Sequence, residues 1–470
     1  MFLFPYEAIK KDSNIILYGA GTVGNDYVRQ ANNTGYCKII CALDRNPADK
    51  IGFPVKVCIP EDILKINSDD YETVLICIQD AKHSEDCEKR LIELGVPKEK
   101  ILQSLDVALN ALGFLPQPIY TTNDENPNIL KTCFFAYGGM GDSLIAANLV
   151  NSVRQTVTGN MQIDFYCNFP ETFRGLNFID NIYKFHEYSS ENDYDLSAFI
   201  YRGTYFEKLN LGKIRKFSEI LHNWCLGEMQ INNDIFGGSR DDCRHSLYSV
   251  FMSKNRVEQC NIKGILPFDR HSPTYMNWEW DAESKKLFSE FGLENKRYIT
   301  VSTGIENCNT MNNPKLWRTD YYNRLVSLVK AKYPQITVVS IGQNYNFGKI
   351  ENADIDLVGK TTISGLKAVL KNSLLHIGVE GGLVHLNHFL GGKSCCLYGP
   401  TSIDFFSYDE NINLQSKKIP KQCLNGCEGV TTKWMAYGCL LAEEPVCMKT
   451  LYPEYVFEKI DLYLSEETEL

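Results

Sequence analysis

No stretch of this chain approaches the roughly 18 continuous apolar residues of a membrane span, which sets aside a helical membrane protein. The opening Met1-Phe2-Leu3-Phe4-Pro5 is too short for a signal peptide, so a soluble, cytoplasmic protein with at most peripheral membrane contact is expected. Basic residues are not in excess. The net charge of −10 and the pI near 5.5 argue against nucleic acid, which wants clustered Lys and Arg, and weaken the idea of a strongly anionic acceptor. There is no internal repeat and no low-complexity tract, which sets aside a repeat array.

What is present is ordinary globular composition, 44% apolar and 23% charged over 470 residues, enough for about three domains. Cysteine is plentiful, at 17. Many of these residues, including Cys37, Cys41, Cys77, Cys133, Cys395 and Cys396, sit inside apolar runs, where a free thiol behaves as a small core residue. Without an export signal they are expected to be reduced.

Strands and helices alternate over residues 14–108, with strands at 14–18, 38–43 and 73–78 and helices at 23–32 and 80–94, which predicts a small parallel-sheet domain. Residues 115–130, with Pro116, Pro118, Asn123, Asn126, Pro127 and Asn128, read as a turn-rich linker. A second α/β unit opens at Thr132, with strands at 162–167 and 196–201. A third opens at Tyr298, with strands at 298–302, 336–340, 374–377 and 394–398. Residues 202–285 are aromatic and show no clear pattern.

Gly19-Ala20-Gly21-Thr22-Val23-Gly24 follows the first strand with dinucleotide spacing, and Asp44 ends the next strand where a ribose-binding carboxylate would sit. Gly19, Gly21, Gly24 and Asp44 are therefore candidate nucleotide-binding residues. The same glycines also let a strand turn tightly into a closely packed helix. No catalytic acid or hydride-accepting set accompanies them.

Two further glycine turns carry more chemistry. Gly138-Gly139-Met140-Gly141-Asp142 follows the apolar run 133–137, and Gly378-Val379-Glu380-Gly381-Gly382-Leu383-Val384-His385 follows 374–377. Each is strand, tight turn, helix start, the arrangement that aims amides and a polar side chain out of the carboxyl edge of a sheet. Two such turns in separate units predict a cleft that holds a phosphorylated substrate. Asp142 reads either as a helix N-terminal cap or as a carboxylate that takes a proton from an attacking hydroxyl. Ser302 and Thr303 end a strand, Lys315 is placed to neutralise a leaving diphosphate, and Trp317 is expected to pack beneath that loop. His385 projects from the first turn of its helix, and Gly399-Pro400-Thr401 makes another turn at the same sheet edge. Four thiols in a polar segment, Cys423, Cys427, Cys439 and Cys447, are a candidate tetrahedral site for zinc or iron, or plain reduced cysteines.

In this order, Gly138 to Asp142, Lys315-x-Trp317, Glu380 to Leu386 and Leu397 to Thr401 resemble the motifs of family 9 glycosyltransferases, the bacterial heptosyltransferases, over about residues 131–456. The resemblance implies an α/β GT-B fold, two facing Rossmann-like domains, here preceded by a small N-terminal Rossmann-like domain. The implied boundaries are 1–108, a linker at 109–130, an acceptor-side domain at 131–285 and a donor-side domain at 286–470. It implies inverting transfer of a sugar, a heptose above all, from a donor such as ADP-heptose to a hydroxyl of a bacterial surface glycan or protein. Asp142 would be the base and Lys315 would hold the diphosphate. Gly381, Gly382 and His385 would line the donor phosphates, with Ser302 and Thr303 adding hydroxyls, and Gly138, Gly139, Gly141 and Glu380 are also candidate substrate-binding residues. No cofactor would be required for the chemistry, and a homo-oligomer is allowed. The family's C-terminal cysteines resemble the four here, and some protein-modifying relatives hold iron on them.

The chain departs from the family at Glu380, where aspartate is usual, and in a longer loop between Thr303 and Lys315. The resemblance does not cover the N-terminal domain, which is similar to nucleotide-sugar-binding domains attached to sugar-modifying enzymes. Two other readings stay open: an NAD-dependent oxidoreductase or epimerase built on Gly19 to Gly24, and a non-catalytic glycan-binding or assembly protein, for which the Glu380 departure argues.

Overall fold

The computed structural model describes residues 4–50, 52–78, 81–103, 118–122, 126–188, 193–235, 242–271, 276–278, 282–304, 313–345, 348–423, 426–427, 438–439 and 441–469. Its described strands form three sheets. The first is parallel, with β1 (Asn14–Tyr18), β2 (Lys38–Leu43), β3 (Val57–Cys58), β4 (Thr73–Ile76) and β5 (Ile101–Gln103) in the order 3-2-1-4-5. Helix α1 (Thr22–Thr34) links β1 to β2, and α2 (Ala81–Glu93) links β4 to β5. Gly35 ends α1 in the left-handed region at φ 60°, the usual glycine stop.

The second sheet contains β6 (Ile119–Tyr120), β7 (Ile129–Ala136), β8 (Asn160–Cys167), β9 (Asn181–Lys184), β10 (Leu196–Ile200) and β11 (Thr204–Leu209), in the order 6-11-10-7-8-9. Only the β10–β11 hairpin is antiparallel. Strand β6 and the start of β7 fall within the stretch read as a linker, because Ile119 and Tyr120 pair with Lys208 and Leu209 at the sheet edge.

Alternation along β7 puts successive side chains on opposite faces, and both faces are covered. Phe134 and Ala136 pack with Leu144 and Ile145 of α3 (Met140–Thr156). Phe135 and Cys133 point the other way, into an apolar cluster that continues through Tyr27, Ala31 and Phe4 of the N-terminal unit. Lys184 Nζ also donates to the Thr34 carbonyl at 3.0 Å. The N-terminal unit thus covers the face of the second sheet that α3 leaves bare.

Residues 202–285, without a clear pattern in sequence, contain α4 (Leu211–Phe217), α5 (Glu219–Gln230) and α6 (Asp242–Phe251). Asn210 and Ser218 cap the first two, each side chain accepting from a backbone N–H three residues on.

The third sheet is wholly parallel: β12 (Tyr298–Val301), β13 (Thr337–Ser340), β14 (Ile355–Asp356), β15 (Leu375–Val379), β16 (Ser394–Tyr398) and β17 (Ile412–Gln415), in the order 14-13-12-15-16-17. Every residue of β12, β15 and β16 is buried, as expected of a parallel sheet covered on both faces. Its helices are α7 (Ala282–Glu290), α8 (Thr319–Lys332), α9 (Ile363–Lys371), α10 (Gly382–Phe389) and α11 (Pro453–Glu469). Helix α7 packs on α9 and α11 on α8, and Trp317 is buried against Tyr322, its Nε1 donating to the Leu451 carbonyl at 2.8 Å.

The architecture is α/β, with two six-stranded lobes packed against each other. One apolar cluster runs through both lobes, from Phe134 and Leu149 to Val384 and Leu386. Lys367 Nζ on the third-sheet side donates to the Thr172 carbonyl on the other at 3.0 Å.

Candidate active site

In each of the two large sheets the chain reverses its direction of strand addition at one point, and open α/β sheets bind ligands just beyond the strand ends there. In the second sheet that point lies between β7 and β10, in the third between β12 and β15. Gly138 to Asp142 follows β7 and Arg202 follows β10. Ser302 follows β12 and Glu380 follows β15.

The first turn needs its glycine. Gly138 has φ +125°, and a Cβ there would lie 2.5 Å from the Cβ of Asp142. Asp142 is the third residue of α3 and not its N-cap, which is Gly139; it accepts from the Gly139 N–H through Oδ2 at 3.0 Å. Its other oxygen, Oδ1, accepts from Arg256 Nη2 at 2.7 Å. Burial pushes this carboxyl up, but Arg256 and Arg202, with the hydrogen bonds from Arg256 and Gly139, more than offset it and hold the group below the ordinary aspartate value. The carboxylate is therefore ionised at neutral pH.

The two turns meet. A Cβ on Gly141 would lie 2.5 Å from Cδ2 of His385, and one on Gly382 would lie 3.0 Å from the Met140 side chain. The starts of α3 and α10 are thus in contact across the lobes. Behind them lies a line of paired groups. Lys315 Nζ is 2.5 Å from Glu380 Oε2, His385 Nε2 faces Glu380 Oε1 at 3.4 Å, and His385 Nδ1 is 2.5 Å from the Tyr408 hydroxyl. Burial would raise the Glu380 carboxyl, yet Lys315 and His385 pull it far below the usual carboxylate range. The lysine expected to meet a diphosphate is paired here with the carboxylate that departs from the family pattern. The longer arm of glutamate spans that distance.

Ser302 donates its backbone N–H to the Ile377 carbonyl at 3.0 Å, and Thr303 Oγ1 donates to the Gly348 carbonyl at 3.3 Å. The hydroxyls of Ser302 and Thr401 are buried at the ends of β12 and β16 without a hydrogen-bond partner. Gly399 lies so close to the Pro314 carbonyl that no side chain would fit, which presses the β16 turn against the segment carrying Lys315. Residues 305–312, the longer loop before Lys315, lie outside the described residues.

Gly19, Gly21, Gly24 and Asp44 stand apart from this cleft, on the first sheet. Gly19 has φ +114°, and a Cβ on Gly24 would collide with the Gly19 carbonyl oxygen. Asp44 accepts from the Ala20 N–H through Oδ2 and from the Asn46 N–H through Oδ1, both at 3.0 Å, with Lys50 Nζ 3.5 Å away.

Cys423, Cys427, Cys439 and Cys447 lie within electrostatic reach of one another. Burial, then Cys423 and Cys439, lifts the Cys427 thiol to about 11. Burial, with smaller contributions from the other three, lifts Cys447 to about 12. Four thiols suit a soft metal, but among the described residues no three His, Cys, Asp or Glu side chains converge closely enough to hold an ion. The cysteines read as core residues, Cys37, Cys41, Cys77, Cys133, Cys395 and Cys396, are free and buried.

Sequence reasoning missed Arg202, Arg256 and Tyr408. Arg202, buried among the rings of Tyr201, Phe405 and Phe406, had a signal in its place directly after a strand. Arg256 had none. It sits in the polar run 254–261, which reads as surface but is buried from Asn255 onward.

Residues 272–427 match the sequence model of glycosyltransferase family 9 (heptosyltransferase). That match supports a glycosyltransferase. It spans β12 to β17 and the Lys315, Glu380 and His385 positions. No curated protein sequence matches the chain. Among solved structures, a family 9 glycosyl transferase from Veillonella parvula is 13% identical, covering 74% of this chain and 100% of its own, with a TM-score of 0.48. E. coli ADP-heptose lps heptosyltransferase II is 15% identical, covering 72% and 99%, with a TM-score of 0.46. The dodecameric iron-containing heptosyltransferase TibC of enterotoxigenic E. coli, in its complex with ADP-D-beta-D-heptose, is 11% identical, covering 75% and 80%, with a TM-score of 0.45. Likenesses this distant carry no argument about chemistry.

Proposed function

We propose that the chain is an inverting glycosyltransferase that moves a sugar, a heptose, from a nucleotide diphosphate donor such as ADP-heptose to a hydroxyl of a bacterial surface glycan or protein. The observation that carries this reading is the contact between the Asp142 turn on one lobe and the His385 turn on the other. A base and a phosphate-binding helix start then face one crevice.

The acceptor hydroxyl gives its proton to Asp142 as its oxygen bonds to the anomeric carbon, from the face opposite the departing diphosphate. The bond between that carbon and the diphosphate oxygen breaks with its electron pair going to the diphosphate. Negative charge grows there, where the Gly381 and Gly382 amides, the positive end of α10, His385 and Lys315 lie. The buried hydroxyls of Ser302 and Thr401, unpartnered in the protein, are donors suited to the same phosphates. Lys315 shares its charge between Glu380 and the leaving group.

The Gly19 to Gly24 turn is read as a packing device. Its glycines are explained by the tight approach of α1 to β1, and Asp44 is engaged by the loop's own amides. The four C-terminal cysteines are read as plain reduced thiols, because among the described residues no three of them converge closely enough to hold an ion.

The test is ADP release from ADP-heptose with and without a bacterial envelope extract as acceptor. The wild type is expected to release ADP in step with transfer. Asp142→Asn is expected to bind ADP as before and lose turnover by about 10²-fold or more. Near wild-type transfer by Asp142→Asn overturns the base assignment.

A further inference from the structure

We propose that Tyr408 is a positioning residue that fixes the tautomer of His385, so that the ring holds an Nε2–H on Glu380, the carboxylate that Lys315 also faces; this rests on the donor-site reading above. The argument begins with geometry. Tyr408 is buried beside α10, with its hydroxyl 2.5 Å from His385 Nδ1. It has little freedom to move. Its ring stacks on His388 with centroids 3.5 Å apart and planes 15° apart, and its carbonyl accepts from Asn413 Nδ2 at 2.8 Å and from the Asn411 N–H at 3.1 Å. His388 is itself held by Glu410.

A phenol carries one proton, and here that proton is held firmly. Burial first, then the nearby Glu410 and Glu380 carboxylates, push Tyr408 well above the usual phenol value despite the opposing charge of Arg256. When the hydroxyl gives its proton to Nδ1, that nitrogen is the acceptor and the ring proton of a neutral imidazole sits on Nε2. Nε2 faces Glu380 Oε1, an acceptor, and the opposite tautomer would set lone pair against carboxylate. Both neighbours of the ring thus favour one form. Lys315 faces the other oxygen of the same carboxylate at 2.5 Å.

The consequence is directional. An Nε2–H held on Glu380 Oε1 steadies the carboxylate that faces Lys315, and so keeps that ammonium in place for the diphosphate of an incoming nucleotide. Without the Tyr408 hydroxyl the ring also populates the Nδ1–H form, which turns a lone pair toward Glu380 and loosens the Glu380–Lys315 pair.

Two measurements on the full chain test this, after melting curves establish that each variant folds. Nitrogen-15 histidine spectra, with His385 assigned by its loss in His385→Gln, are expected to show the Nε2–H form in the wild type and a tautomer average in Tyr408→Phe. An Nδ1–H form or an imidazolium for His385 in the wild type, or an unchanged tautomer in Tyr408→Phe, overturns the proposal. Calorimetry with ADP gives the second readout. Tyr408→Phe is expected to weaken ADP about tenfold, the scale of a hydrogen bond to a charged group. That loss should vanish in a His385→Gln background, where the amide supplies an N–H at the ε position, and His385→Asn should not rescue it. An equal loss in the His385→Gln background means that Tyr408 acts through packing alone, against the proposal. Absence of any ADP binding by the wild type contradicts the donor reading, and the spectra still decide the tautomer.

Discussion

Arg256 ties the two lobes together at the reactive carboxylate: its Nη2 donates to Asp142 Oδ1 at 2.7 Å, and its own backbone N–H donates to the Phe405 carbonyl on the opposite lobe at 2.6 Å. Asn255, its neighbour, reaches the same lobe through Nδ2 to the Ser407 carbonyl at 3.3 Å. The position of the base is thereby linked to closure of the crevice.

Replacing Arg256 with methionine separates the charge from the packing. Asp142 then keeps its burial, which pushes its pKa up, and loses its nearest cation, so the acid limb of the activity profile should move to higher pH. The sign for stability follows from the lowered value in the native protein. A depressed carboxyl stabilises the fold above its unfolded pKa of about 3.9, and that contribution fades as pH falls through the native value. Arg256→Met should therefore cost most at neutral pH, about 3–5 kcal/mol for a broken buried pair, and the gap to wild type should narrow below about pH 4. Denaturant melts at several pH values check this.

Lys315 and Glu380 should behave as one unit. Glu380 is almost wholly buried, so Lys315→Met strands a carboxylate and is expected to lose about 3–5 kcal/mol. Adding Glu380→Gln should restore much of the loss, because the stranded charge is removed. A double-mutant cycle measures the coupling, and additive losses would mean that the pair does not interact.

Much of this was legible beforehand because it rests on short-range rules. Strands such as Lys38–Leu43 and Ser394–Tyr398 are apolar runs closed by turns, and the glycines at 138 and 381–382 mark where a strand must bend into a helix. Helices α4 and α5 were missed although Asn210 and Ser218 are ordinary caps, because the aromatic residues around them obscured the helical period. Strand β6 was missed because two residues make no pattern; it exists through its pairing with β11. Arg256 and Tyr408 could not be found locally. Each acquires its role from a partner more than 20 positions away, Asp142 and His385 respectively.

The cysteine segment makes its own prediction. Purified protein is expected to carry no stoichiometric zinc or iron by elemental analysis, and a chelator is expected to leave its melting temperature unchanged. One bound equivalent that is lost in Cys427→Ser or Cys447→Ser would mean that the four thiols converge on a metal.

The central claim is that one crevice between the lobes takes an activated sugar, and a thermal-shift panel of ADP-heptose beside common UDP- and GDP-sugars tests it most directly. A ligand present at about 100 times its dissociation constant adds about 2.7 kcal/mol to the native state. ADP-heptose is expected to raise the melting temperature clearly above the other donors, with the rise reduced in Lys315→Met. No rise with any nucleotide sugar, or an undiminished rise in Lys315→Met, would contradict the account.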